Sequence, residues 1–218
     1  MILAAGRGER LRPLTDRAPK ALLEAGGKSL IAWHLGRLAS AGIRDVVVNL
    51  AHLGGQIEAA LGEGGAFGLR LAYSREPEPL ETAGGIAFAA PLLGAEPFLL
   101  LNADIYCDFD LSPLARRSLG ERLGHLVLVP NPAHRPGGDF SLTDGRAGDA
   151  AAPRYTYAGI AVLRPSLVAE VHAGDKAPLG PILKRAAACG QLSGELHEGV
   201  WHDAGTPERL AALRKALA

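Results

Sequence analysis

The six residues DVVVNL, Asp45 to Leu50, place three valines in a row with no polar residue among them. A strand with one wet face alternates apolar and polar side chains. An unbroken β-branched run instead suits a strand covered on both faces, the habit of parallel sheets. Upstream, Leu30, Ile31, Trp33, His34, Leu35 and Leu38 recur at helical spacing after the Gly26-Gly27 turn and stop near Gly42. Before them, MILAA (1–5) is a short apolar run that suits a buried strand ending at Gly6. Downstream, an amphipathic stretch at about 53–61 predicts a second helix, and LRLAYS (69–74) an alternating strand. Strand, helix, strand, helix, strand in this order predicts an α/β fold, a Rossmann-like three-layer sandwich with a mostly parallel mixed sheet.

The remaining chain continues the pattern. REPEPLETAGG (75–85) is polar and leads to a short helix from about Gly85 to Ala90, and PFLLLNAD (97–104) reads as a strand ending at Asp104. HLVLVP (125–130) and YTYAGIAVL (155–163) read as strands, separated by a Gly- and Pro-rich loop with a short strand at Phe140 to Leu142. Helices are expected near 165–171 and 179–189, a strand near Glu195 to Glu198, and a last helix from Thr206 to Ala218. No repeat or linker interrupts, so residues 1–218 are expected to form one domain. In open sheets ligands bind outside the carboxyl ends of strands, which brings forward Gly6, Ser74, Asn102 and Asp104.

Lys and Arg number 23 and are cancelled by 23 Asp and Glu. That balance argues against nucleic acid as a partner, and any phosphate ligand is expected to be small and held by local charge. No apolar run is long enough to span a bilayer and no signal peptide opens the chain, so a cytoplasmic protein without membrane partners is expected. Cys107 and Cys189 match no metal spacing and read as reduced thiols. A monomer or weak homo-oligomer is expected.

The chemistry concentrates in LAAGRGERLRPLTDRAPKALL (3–23). It is not a P-loop, which needs G-x-x-x-x-G-K-[ST]. Nor is it a dinucleotide fingerprint, because Leu11 stands where the third glycine belongs and Pro13 follows. What remains is a glycine turn whose backbone N–H groups can face an anion, crowded by Arg7, Arg10, Arg12, Arg17 and Lys20. That composition suits a triphosphate.

LAAGRGERLRPLT followed by PKA resembles the signature of the sugar-1-phosphate nucleotidylyltransferases, with Ala5 in place of a glycine and Ala21 in place of a second proline. EPLETAGGI, LLNADIYCD and WHDAGTPERL resemble, in order, that family's base-recognition loop, strand-end aspartate motif and late W-x-D-x-G-T motif. The resemblance implies a GT-A-like nucleotide-diphospho-sugar transferase fold. It also implies an enzyme in which a sugar 1-phosphate oxygen attacks the α-phosphorus of a nucleoside triphosphate and pyrophosphate leaves. Within the family the likeness is greatest to uridylyltransferases of cell-wall recycling, through the ETAGGI loop (81–86) and GDF (138–140). UTP and N-acetylmuramate 1-phosphate are the substrates so implied. Another sugar or base, or a non-catalytic nucleotide-sugar sensor, is the alternative.

The same resemblance assigns roles. Arg10, Lys20 and Asp104 are expected to be catalytic, with Mg²⁺ held by Asp104 and Asp203. The nucleotide is expected at Leu3, Ala4, Ala5, Gly6, Arg7 and Gly8, and at Glu81, Thr82, Gly84 and Gly85, the glycine pair allowing close backbone approach and Thr82 capping its helix. The sugar is expected near Asn102, Gly138, Asp139, Thr156 and Gly159. Many relatives place a Glu-Lys pair between the last two strands of the sugar side, but TDGRAGDAAAPR (143–154) has neither residue. Arg154, or His134 with Arg135, is therefore expected to take the anionic part of the sugar, a lactyl carboxylate included. Trp33 and His34 read as packing, His202 as a bystander, Asp108 and Asp110 as turn residues, and Trp201 as a brace for the Asp203 loop.

Overall fold

The computed structural model describes residues 1–150 and 153–218. In chain order its first elements are β1 (Ile2–Leu3), α1 (Leu14–Arg17), β2 (Glu24–Ala25), β3 (Lys28–Ser29), α2 (Leu30–Ser40), β4 (Asp45–Leu50) and α3 (Gly54–Leu61). Then come β5 (Arg70–Arg75), α4 (Glu81–Leu93), β6 (Phe98–Asn102), β7 (Ile105–Cys107), β8 (Gly124–Val129), β9 (Phe140–Thr143), β10 (Arg146–Gly148) and β11 (Arg154–Leu163). The chain closes with α5 (Leu179–Ala188), β12 (Leu192–Leu196), β13 (Trp201–Asp203) and α6 (Pro207–Ala216).

A nine-stranded mixed sheet runs β5-β4-β1-β6-β11-β8-β12-β10-β9. From β5 to β6 every pairing is parallel, and from β6 through β11 to β8 the pairings are antiparallel. The valine run shows how the sheet is covered. Val46, Val48 and Leu50 enter one core with Ile31 and Leu35 of α2 and Ile57 of α3. Val47 points the other way, into a second core with Ile86 of α4 and Leu183 of α5. Successive side chains thus serve opposite layers, and each fully buried aliphatic side chain contributes about 1.5–3 kcal/mol. A third cluster seats Leu210 and Leu213 of α6 on Leu11, Leu23 and Leu30, tying the end of the chain to its opening loop.

Local chemistry explains several element ends. Ser29 accepts the Ala32 N–H at the start of α2, and Thr206 accepts the Arg209 N–H at the start of α6, where Pro207 supplies a helix-ready φ. The helix expected at Gly85 begins four residues earlier, at Glu81, because Ala83 and Gly84 find their N–H acceptor outside the helix, at Ala177 O. The expected helix at 165–171 is a 3₁₀ turn, Pro165–Val168, and the strand expected at 195–198 is Leu192–Leu196, parallel to β8. A small ribbon of β7 and β13, paired Asp203 to Ile105, stands outside the main sheet. Among the described residues no helix is long and apolar enough to cross a membrane.

Candidate active site

The opening loop is anchored from below by one amide. The Ala4 N–H donates to Asn49 Oδ1 at 2.7 Å, Asn49 Nδ2 donates to Glu76 Oε1 at 2.6 Å, and Glu76 Oε2 accepts the Leu80 N–H at 3.0 Å. The carboxyl ends of β1, β4 and β5 therefore share one buried network. Burial pushes the Glu76 carboxyl above its usual range, against the pull of the Leu80 and Asn49 donors. Sequence reasoning missed Asn49 and Glu76. The signal was present: Asn49 is the one amide inside an apolar strand, a residue that must be hydrogen-bonded if buried. Further along the loop, Gly8 has φ 65°, and a Cβ there would lie 2.8 Å from Thr15 Cγ2, while Thr15 Oγ1 donates to Gly8 O at 2.8 Å. The turn is closed from the side as well as from below.

A cleft of about 910 Å³ opens above this loop, walled by Leu3, Ala4, Ala5, Gly6, Arg7, Gly8, Arg10, Lys20, Glu81 and Thr82, as expected from the sequence. Asn49 and Lys176 join them without having been foreseen. Lys176 arrives because its neighbour Ala177 receives the Ala83 and Gly84 N–H groups, a long-range backbone contact that no local motif announces. A second cavity of about 580 Å³ adjoins the first and shares Arg10, Asn102, Asp104 and Gly205 with it. Its other walls include His134, Arg135, Gly159, Asp203 and Arg209.

Charge is distributed unevenly. Lys20 Nζ donates to Asp104 Oδ2 at 2.5 Å, whereas Asp104 Oδ1 takes no hydrogen bond among the described residues. Arg7 and Arg10 make no ion pair among those residues. Asp203 is crowded: Arg209 Nε lies 2.9 Å from Oδ1 and Arg209 Nη1 3.0 Å from Oδ2, His134 Nε2 is 2.9 Å from Oδ2, and the Gly205 N–H reaches Oδ1 at 3.2 Å. The Ala204 N–H donates to Asp104 O at 2.8 Å, which holds the two aspartates on adjoining backbone. Two carboxylates, both in the lining of the second cavity and one also in the cleft, are the oxygen donors a hard divalent cation prefers. Asp104 offers an open oxygen, whereas both oxygens of Asp203 are engaged by nitrogen donors.

Several expected site residues have other work. Gly84 and Gly85 line neither cavity. A Cβ on Gly84 would collide with Asp175 O, and one on Gly85 would lie 2.6 Å from Glu76 Oε1 and 2.7 Å from Asn49 Nδ2, so both are small because neighbours crowd them. Thr82 Oγ1 accepts the Leu179 N–H at 2.7 Å, so it caps α5 and not its own helix. Arg154 is drawn away from the cavities by Asp149 Oδ1 at 2.9 Å, Ala150 O at 3.0 Å and Asp139 O at 2.6 Å. Thr156 is buried and donates to Asn131 Oδ1, and Asp139 Oδ2 accepts the Tyr157 N–H at 2.9 Å; with Gly138 they build the loop wall from behind. Gly159 does border the second cavity, with φ 78° and a would-be Cβ 2.9 Å from Asn102 Nδ2.

The residues expected to pack do so. Trp201 Nε1 donates to Ala158 O at 2.9 Å and braces the ribbon that carries Asp203. Trp33 lies edge-on to Tyr106, and buried His34 is held neutral, its pKa lowered to about 4 by burial and by Arg37. Asp110 accepts the Ser112 N–H in a turn. Asp108, by contrast, bonds His197 at 2.6 Å, and the Cys107 thiol joins them within 4.8 Å, a grouping the separate cysteine positions did not announce.

Comparison with known proteins follows the same lines. Residues 1–136 match the family described as Nucleotidyl transferase. The N-acetylmuramate alpha-1-phosphate uridylyltransferase of Neisseria meningitidis serogroup B is 49% identical over 96% of this chain and 94% of its own. The enzyme of that name from Caulobacter vibrioides is 36% identical over 100% of this chain and 96% of its own. Among solved structures, HddC from Yersinia pseudotuberculosis shares the fold at a TM-score of 0.79 and 20% identity, covering 100% of this chain and 98% of its own.

Proposed function

This chain belongs to the nucleotidyl transferase family, and from that premise we propose that it is a Mg²⁺-dependent uridylyltransferase joining UTP to N-acetylmuramate 1-phosphate. The observation that carries the reading is the shared wall: the Lys20–Asp104 pair and unpaired Arg10 stand where a cleft sized for a nucleotide meets a cavity sized for a sugar. The names of the two full-length relatives support the choice of base and sugar.

In this reaction an oxygen of the sugar phosphate forms a bond to the α-phosphorus, and the bond from that phosphorus to the β-phosphate oxygen breaks. Pyrophosphate departs. The nucleophile is already an anion, so no protein base is needed and positioning and charge carry the catalysis. Lys20 lines the cleft and is paired with Asp104 of the shared wall, and it follows the charge that builds on the α-phosphate, a task for a compact ammonium. Arg10, with Arg7 beside it, holds the β and γ phosphates and stabilises the leaving group. Backbone groups of Ala4 to Gly6, with Glu81 and Thr82 across the cleft, face the alternating acceptors and donor of the uracil edge. Mg²⁺ on Asp104 and Asp203 would supply further neutralisation of phosphate charge.

The reading extends to one domain of residues 1–218 acting in the cytoplasm, as a monomer or weak homo-oligomer, in a sequence of reactions that recovers peptidoglycan sugars. The test is pyrophosphate release from purified protein with Mg²⁺, across the four common nucleoside triphosphates and N-acetylmuramate, N-acetylglucosamine, glucose and mannose 1-phosphates. Release strongest with UTP and N-acetylmuramate 1-phosphate, and lost in Asp104→Ala, is the expected result. Preference for another pair would replace the substrates, and silence throughout would return the protein to a binding role.

A further inference from the structure

The second cavity has arginines that stand apart from the wall it shares with the nucleotide cleft. Arg10 and Asp104 border both cavities, so the reacting phosphate belongs with them. Arg209 is committed to Asp203 through two nitrogens. Arg135 borders the second cavity alone, and it is held by a single ion pair, Nη1 to Asp139 Oδ2 at 3.1 Å, with its side chain 53% exposed.

The loop under Arg135 is built. The Arg135 N–H donates to Pro132 O at 2.8 Å and the Gly138 N–H donates to Arg135 O at 3.2 Å. Asn131 Nδ2 spans Pro136 O at 3.1 Å and Arg154 O at 3.0 Å, pinning the loop to β11. Gly138 closes it with φ 60°, where a Cβ would lie 2.8 Å from Asn131 Oδ1 and 2.9 Å from Tyr155 N. Asp139, the tether, is itself fixed by the Tyr157 N–H. Backbone and tether therefore set the position of the guanidinium while leaving most of its donors free. A planar fork with one corner tethered and the rest open is shaped for a second planar anion.

Resting on the functional reading above, we propose that Arg135 forms a carboxylate subsite which recognises the lactyl carboxylate of the N-acetylmuramate ring. N-acetylglucosamine 1-phosphate has a neutral hydroxyl at that ring position and gives the arginine nothing to pair with. Discrimination between the two sugars then comes from one charge-assisted contact. The Arg154 alternative fails because its guanidinium is consumed by Asp149 and two carbonyls outside the cavity.

The experiment is a selectivity ratio, kcat/KM for N-acetylmuramate 1-phosphate over that for N-acetylglucosamine 1-phosphate with UTP, in wild type, Arg135→Ala and Arg135→Lys. The methyl ester of the lactyl group serves as a third substrate. Arg135→Ala should lower the ratio about tenfold or more, through KM of the acidic sugar, and Arg135→Lys should restore part of it. Wild type should discriminate against the ester to a similar extent. An unchanged ratio in Arg135→Ala, or an ester used as well as the acid, overturns the subsite while the functional reading stands. Failure of wild type to use N-acetylmuramate 1-phosphate at all overturns the functional reading and the subsite with it. Should Arg135→Ala fail to fold, the ester comparison in wild type and the lysine variant still decide.

Discussion

In the nucleotide cleft Arg7 and Arg10 stand without an acidic partner among the described residues, whereas around the second cavity His134, Arg135 and Arg209 each rest on Asp203 or Asp139. The backbones beneath differ in the same sense. The cleft opens at the ends of the parallel strands β1 and β4, and the second cavity is framed by the antiparallel β11 and the outlying ribbon. A triphosphate brings enough negative charge to satisfy bare arginines, so that side can wait with its cations open. An acidic sugar phosphate brings less charge than a triphosphate, and the second cavity keeps Arg135 and Arg209 paired with acidic neighbours. One pair of residues, Lys20 with Asp104, joins the two regimes.

Replacing that junction should have the largest effect. Lys20→Ala is expected to lower kcat about 10²–10³-fold in single-turnover assays, with a smaller change in KM for UTP. A loss confined to KM would move Lys20 to simple nucleotide binding and leave the cleft and cavity independent. Next is the floor on which both regions rest. His34 lies against the backbone of Asn102 and Ile105, and its pKa, lowered to about 4 from 6.5, means the folded protein binds this proton less readily than the unfolded chain. The stability this represents is complete above pH 6.5 and is lost as pH falls toward 4, by about 3 kcal/mol. Urea midpoints across that range should fall in wild type and flatten in His34→Leu; parallel curves would show that the floor does not titrate.

Smaller effects probe each wall. Gly84→Ala should cost about 1–3 kcal/mol, because its Cβ meets Asp175 O, and thermal unfolding would show it. If stability holds, the contact between α4 and the 175–177 segment is looser than described. Last, raising salt should increase KM for UTP more steeply than KM for the sugar phosphate, since the triphosphate carries more charge and the first cleft adds exposed Arg7 to the Arg10 that both cavities share. Equal slopes would remove the electrical distinction between the two regions.

The contrast also governs what could be read from the chain. Residues 3–20 are contiguous, and their glycines and cations line one cleft, so the grouping of Gly6, Arg10 and Lys20 was visible without coordinates. The valine run revealed a doubly covered strand because period-two burial is a local property. The second cavity joins His134 and Arg135 of one loop to Asp203 and Arg209, and the His134–Asp203 contact, 69 residues apart, is one that no local motif announces. Arg154 illustrates the limit: its charge and position in the chain suggested the site, but three acceptors pull it elsewhere. Thr82 is a related case, since a threonine at a helix start normally caps that helix, and here a neighbouring helix lies close enough to take the bond.

The wall common to the two cavities, Arg10, Asn102, Asp104 and Gly205, has a consequence for traffic through the enzyme. Two separate substrates each surrender their free motion to sit on either side of it. A nucleotide sugar spans it as one molecule and surrenders that motion once, keeping the contacts to base, ribose and sugar while those to the departed pyrophosphate are gone. A bisubstrate inhibitor of the same span that also carries the β and γ phosphates would hold every contact at that single cost.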